Sequence, residues 1–287
     1  MPALPLYSGA VGHEILTRTP PTVGRRIAYG AGPSHFGDLR LPSGPGPHPL
    51  VIFLHGGWWR SLVGLEYAGN LCAPLEREGI ASWNLEYRRT GESGGGWPMT
   101  FDDAATGADF VATLAETMPI DLKRVITMGH SAGGHLAMWL AARHRIPSGS
   151  RLHAVPRVAI RGVVSLAGAV DLRLASALGL GRSPEGTLAV HELMGGRPQD
   201  VPEHYQEGSP GDLLPLGVRQ VIVTGTADET VPCELGRSYV QRARALGDDA
   251  TLVEIAGADH FDPVDPDSGA YPRVREAVLE LIGGPVR

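Results

Sequence analysis

Two rhythms of apolar residues alternate along the chain. Short branched-aliphatic runs at residues 50–54, 80–87, 125–128, 158–166, 220–224 and 251–255 predict strands. Apolar positions three and four apart predict helices at 67–78, 101–118, 235–246 and 272–282, and another from Leu136 through Trp139, Leu140 and Ala141. Pro74 is placed to kink the first of these helices and Gly79 to stop it. Residues 26–29 and 35–41 predict two edge strands joined by the turn-prone Gly30-Ala31-Gly32-Pro33. Residues 1–21 show little pattern and read as an irregular lead-in. Residues 172–215 are rich in glycine and proline, with one predicted helix at 187–194; this stretch is the candidate partial lid. Strands alternating with helices imply an α/β fold, with a mostly parallel central sheet and helices on both faces. No shift in composition marks a linker, so residues 1–287 are expected to form a single domain.

One junction between the two rhythms stands out. The strand at 125–128 runs into Gly129-His130-Ser131-Ala132-Gly133 and then into a helical pattern. Strand, glycine turn, helix is the context in which G-x-S-x-G presents a serine oxygen at the positive end of a helix. The letters alone are weak, because the chain carries thirty-nine glycines and a second copy, Gly91-Glu92-Ser93-Gly94-Gly95. That copy runs into Gly96-Trp97-Pro98, which cannot begin a helix at the serine. Ser131 is therefore the candidate nucleophile and Ser93 a loop residue.

A serine nucleophile needs a base, and the base an orienting acid. Asp228 follows the 220–224 strand, and His260 follows the 251–255 strand. Both positions correspond to the carboxyl ends of parallel strands, where sites in open α/β sheets gather. Glu229 and Asp259 are neighbouring alternatives for the acid. A further candidate element is His55-Gly56-Gly57-Trp58-Trp59 after the 50–54 strand. Its glycines allow backbone N–H groups of Gly56 and Gly57, with that of Ala132, to approach a developing oxyanion. Trp58 and Trp59 are candidate walls of a substrate pocket.

Composition narrows the alternatives. The net charge is −6 and the sequence holds no dense basic cluster, which argues against a nucleic-acid or anionic-membrane surface. Residues 1–16 lack the pattern of a signal peptide, and no apolar run is long enough to span a bilayer. Cys72 and Cys233 fit neither a zinc ribbon nor a redox pair; two free, buried thiols point to a cytoplasmic protein. His191-Glu192-Leu193-Met194 lacks the second histidine of a zinc motif, and no phosphate-binding loop is present. No metal or other cofactor is expected.

The order Ser131, Asp228, His260 matches that of α/β-hydrolases. The chain resembles the hormone-sensitive-lipase and kynurenine-formamidase (arylformamidase) group of that superfamily. The resemblance rests on His55-Gly56-Gly57-Trp58-Trp59, on Gly129-His130-Ser131-Ala132-Gly133-Gly134-His135-Leu136, on Ser209-Pro210 and on Gly225-Thr226-Ala227-Asp228. It spans residues 50–261 and departs from the lipase branch at Trp58, where a third glycine is usual. It implies an α/β-hydrolase fold and a serine esterase acting on small or medium acyl esters through an acyl-enzyme. An arylformamidase cleaving N-formylkynurenine and a non-catalytic binding protein on the same scaffold are the alternatives. The implied partner is a small-molecule ester or formamide, and a homodimer is left open.

Overall fold

The computed structural model describes residues 13–19, 21 and 25–283. Its described strands form one eight-stranded sheet. Chain order gives β1 (Arg25–Ala28), β2 (Phe36–Arg40), β3 (His48–Leu54), β4 (Ala81–Leu85), β5 (Ile120–His130), β6 (Gly162–Leu166), β7 (Arg219–Gly225) and β8 (Ala250–Ile255). Across the sheet they lie β1-β2-β4-β3-β5-β6-β7-β8. The β1–β2 and β2–β4 pairs are antiparallel, and all others are parallel. The most central strands are β3 and β5; β3 is buried along its whole length and β5 from Val125 to His130, because both faces are covered there.

The side-chain alternation of the strands sorts the core into two layers. Leu50, Ile52 and Leu54 of β3, with Val125, Val163 and Ile222, face one side. Val51 and Phe53, with Ile126, Met128, Val164 and Val223, face the other. Onto the first side pack α3 (Met99–Leu114), α4 (Ala132–Ala142) and α8 (Cys233–Ala245), through residues such as Val111, Leu136 and Tyr239. Onto the second pack α2 (Gly69–Arg77) and α9 (Tyr271–Ile282), through Leu71, Leu75, Val274 and Val278. Each fully buried Leu, Ile, Val or Phe contributes roughly 1.5–3 kcal/mol, and that burial fixes the strand register.

Three expectations need correction. The lead-in is not wholly irregular: α1 (His13–Thr17) sits in it and buries Ile15, while residues 1–12 lie outside the described part. The strand expected at 158–166 begins only at Gly162, although Arg161 N–H already donates to Val125 C=O at 2.8 Å. Residues 172–215 hold three short helices rather than one: α5 (Leu172–Ala177), α6 (Ala189–Met194) and α7 (Pro202–Gly208). Asp171 caps α5 by accepting from Leu174 N–H at 3.0 Å, and Gly195 ends α6 in a left-handed conformation. The stretch is anchored along its length. His135 and Trp139 of α4 donate to Gly208 C=O and Glu207 C=O at 2.8 and 2.9 Å, and Trp97 N–H donates to Leu193 C=O at 2.7 Å.

Candidate active site

Ser131 joins β5 to α4 with φ 55° and ψ −118°, a conformation that costs a non-glycine residue about 1–3 kcal/mol. Close packing enforces it. A Cβ on Gly129 would lie 2.1 Å from Gly133 O, and one on Gly133 would lie 2.0 Å from Leu54 O. Only glycine at both positions lets the turn close against β3. Ser131 N–H donates to Leu166 C=O at 2.8 Å, locking the turn to β6. Among the described residues the other non-glycine residues at positive φ are Trp58, Trp59 and Ala167. All four stand just beyond the carboxyl ends of β3, β5 and β6, where ligand sites in such sheets gather.

The loops after β7 and β8 bring Asp228 and His260 together. Asp228 Oδ2 accepts from His260 Nδ1 at 2.8 Å, while its Oδ1 accepts from Thr230 and Val231 N–H, each at 2.8 Å. The carboxylate is thus fixed by backbone donors and spends one oxygen on the imidazole. Of the alternatives, Asp259 is occupied by Phe261 and Asp262 N–H, and Glu229 is exposed. His260 Nε2 and Ser131 Oγ are both buried and make no hydrogen bond among the described residues. They do not bond to each other here; catalytic hydrogen bonds often tighten only around a substrate.

The loop after β3 completes the surroundings of Ser131. A Cβ on Gly56 would lie 3.0 Å from Ser131 Cβ, so this loop lies directly against the serine. Two expectations fail here. Gly56 N–H is no oxyanion donor, because it already donates to Tyr67 Oη at 2.6 Å. Trp59 is no pocket wall, because it is fully buried and its indole N–H is shared between Ala132 C=O at 3.1 Å and His135 Nδ1 at 3.2 Å. It props the start of α4 instead. Gly57 N–H and Ala132 N–H have no acceptor among the described residues. Trp58 is nearly buried and rests against Gly181 in the loop between α5 and α6.

Beneath the loop, His55 bridges Gly56 C=O and Glu86 Oε1, both at 2.8 Å, and stacks on Tyr87 with ring centroids 4.5 Å apart. Burial pushes the Glu86 carboxyl up, but His55, Arg89 and the Tyr87 N–H together outweigh it and hold the group below the usual carboxylate range. An ionised Glu86 therefore underlies the loop. Its Oε2 also accepts from Leu65 N–H at 3.1 Å.

The histidine of the elbow is connected as well. His130 Nε2 lies 2.9 Å from His260 C=O, which can only accept, so Nε2 carries the proton. Burial, reinforced by neighbouring His260, drives the His130 pKa well below the ordinary value and keeps the ring neutral. Its Nδ1 is then an acceptor and receives the Tyr67 O–H at 2.8 Å. Tyr67 and Glu86 carried no signal in the sequence that would have marked them as neighbours of the site.

A serine on a strained strand-to-helix turn, an Asp–His pair one loop away and a glycine loop with an unengaged N–H belong to a recognisable architecture. Residues 38–242 match the family model described as BD-FAE. The chain belongs to the BD-FAE family. The family match includes Ser131 and Asp228 and ends before His260. The chain is 28% identical over 276 residues to isoprenylcysteine alpha-carbonyl methylesterase ICME of Arabidopsis thaliana, covering 91% of this chain and 62% of that protein. It is 26% identical over 272 residues to esterase LipC of Mycobacterium tuberculosis strain ATCC 25618 / H37Rv, covering 86% and 64%. The chain thus spans about six-tenths of the length of these curated relatives.

Among solved structures, a truncated carbohydrate esterase from gut microbiota superposes with a TM-score of 0.76 at 20% identity, covering 92% of this chain and 97% of that one. The native Est2 esterase of Thermogutta terrifontis superposes with a TM-score of 0.72 at 21% identity, covering 94% and 96%. At such identities the likeness concerns the fold, and that fold is the α/β-hydrolase fold. Among the described residues no group of His, Cys, Asp and Glu is arranged to hold a metal ion, and no helix is long and apolar enough to cross a membrane.

Proposed function

We propose that this BD-FAE protein is a serine carboxylesterase for small or medium acyl esters, with Ser131, His260 and Asp228 as its triad. The observation that carries the reading is the 2.8 Å His260–Asp228 bond, which leaves His260 Nε2 bare in the same buried region as an unpartnered Ser131 Oγ. Asp228 holds His260 in the tautomer whose Nε2 accepts, and stabilises the imidazolium once formed. His260 takes the Ser131 proton as Oγ adds to the ester carbonyl. The oxyanion then receives hydrogen bonds from Gly57 N–H and Ala132 N–H. Return of the proton from His260 expels the alcohol and leaves an acyl-Ser131. Water, deprotonated by His260, adds to the acyl carbon and releases the acid. Kinship to proteins named as esterases supports the same chemistry.

The reading of modest acyl groups rests on a proposed cap over the site. Arg60, next to Trp58 and Trp59, pairs with Glu192 of α6 at 2.7 Å, which ties the loop after β3 to residues 172–215. That stretch acts as a fixed cap within one domain rather than as a mobile lid, and Trp58 forms part of the wall beneath it. The two buried, unpaired cysteines support a cytoplasmic location.

Steady-state assays on p-nitrophenyl acetate, p-nitrophenyl butyrate and N-formylkynurenine test the proposal, with Ser131→Ala as control. Ser131-dependent turnover of the two esters is expected to dominate. A clear preference for the formamide would make the protein an arylformamidase, and inactivity on all three would leave a binding protein on a hydrolase scaffold.

A further inference from the structure

A single string of hydrogen bonds runs through three loops that the proposed chemistry uses. Gly56 N–H donates to Tyr67 Oη at 2.6 Å, and Tyr67 O–H donates to His130 Nδ1 at 2.8 Å. His130 Nε2–H in turn donates to His260 C=O at 2.9 Å. The direction of every link is forced. A backbone N–H can only donate and a carbonyl can only accept, so the tyrosine and the neutral histidine between them have one arrangement that satisfies both ends. Tyr67 stands in the 3₁₀ turn before α2 and is 3% exposed, while His130 is 1% exposed. The imidazole of His130 lies 4.9 Å from that of His260, centroid to centroid.

We propose that Tyr67 and His130 are positioning residues that set the oxyanion loop and the His260 loop relative to each other across the Ser131 turn. This rests on the esterase reading above. Engaging Gly56 N–H fixes the peptide between His55 and Gly56, and the loop then presents the next amide, Gly57 N–H, to the substrate. At the other end, the bond to His260 C=O fixes the backbone from which the general base projects. A side chain that merely filled this space could be phenylalanine, which carries no hydroxyl to satisfy. Here both ends terminate on groups adjacent to the reacting atoms.

The test uses Tyr67→Phe, which keeps the ring and deletes the hydroxyl, and a pair of substrates differing only in a carbonyl or thiocarbonyl group. An oxyanion hole aimed at oxygen discriminates against sulfur, so the ratio of ester to thionoester kcat/KM reports how well the hole is aimed. A loss of folded protein lowers both rates alike and leaves the ratio unchanged. Tyr67→Phe is expected to lower kcat on p-nitrophenyl butyrate by about 10- to 100-fold, to leave KM within about threefold, and to narrow the ratio by about threefold or more. His130→Gln, which can still accept and donate, is expected to retain more activity and a wider ratio than His130→Leu. This second pair decides the matter if Tyr67→Phe does not fold. An active wild type whose ratio is unchanged in Tyr67→Phe, or equal in the two His130 variants, would overturn the relay alone. A wild type inert toward both substrates would overturn the esterase reading and the relay with it.

Discussion

Two stretches of the chain spell the same five-residue pattern and fold into different things. Gly129-His130-Ser131-Ala132-Gly133 closes against the carboxyl end of β3, with its serine strained, 1% exposed and at the start of an eleven-residue helix. Gly91-Glu92-Ser93-Gly94-Gly95 is a surface turn whose Ser93 is exposed and whose Glu92 pairs with Arg89 at 2.7 Å; the next helix, α3, starts only at Met99. Glycine is needed in both, so glycine does not separate them. What separates them is the neighbour on each side. An apolar strand before Ser131 buries the turn, and a helix-forming sequence after it aims backbone N–H groups at the serine. Local letters acquire chemistry only through the tertiary surface they are pressed against.

The largest contrast should appear in activity. Ser131→Ala is expected to lower kcat on p-nitrophenyl butyrate by about 10⁴-fold or more, the scale lost when a serine nucleophile is removed, and Ser93→Ala to leave it within about twofold. The next contrast is steric. A methyl at Gly133 meets the Leu54 carbonyl at 2.0 Å, so Gly133→Ala should cost about 3 kcal/mol or more. Gly94→Ala, at φ 77° in the open turn, should cost about 1 kcal/mol; urea midpoints of the two variants measure the difference.

The two histidines flanking Ser131 sharpen the comparison further. His130 is buried and neutral, and His135, four residues after Ser131, is pushed down to about 4 by burial despite its bond to Gly208. Their folded pKa values lie below the unfolded value of about 6.5, so below that pH the unfolded chain binds protons that the folded chain refuses. Stability is therefore complete above about pH 6.5 and falls as pH drops toward 4, by about 3 kcal/mol from His135 alone. Thermal melts from pH 7 to pH 4.5 should show the decline, and His135→Gln should flatten it. A melt independent of pH in that window would mean that these rings take up protons in the folded state. Smallest of all, Ser93→Ala should shift stability by no more than about 0.5 kcal/mol.

The same contrast explains what could be read from the sequence. Strand β3 and the 125–130 part of β5 announce themselves because both of their faces are buried and their residues are mostly apolar. Ser131, Asp228 and His260 were legible because each follows a recognisable strand. The helix α6 was legible at 187–194, but α5 and α7 were not, since six or seven residues lie below the length at which a helix holds by itself. They persist through contacts from elsewhere, such as those of His135 and Trp139, and through the ion pair between Asp171 and Arg242. The engaged state of Gly56 was equally hidden, because its acceptor Tyr67 belongs to a helical pattern that carries no mark of the site. Trp59 looked like a pocket residue by its place in the loop, yet a positive φ turns it under α4, where it is wholly buried.

Covalent labelling tests the central claim most directly. Purified protein treated with a fluorophosphonate and mapped by peptide mass spectrometry should carry the adduct on Ser131, at a rate that falls as His260 is replaced by Ala. A label on Ser93, or no label on Ser131 under conditions that modify a control esterase, would contradict the assignment of the nucleophile.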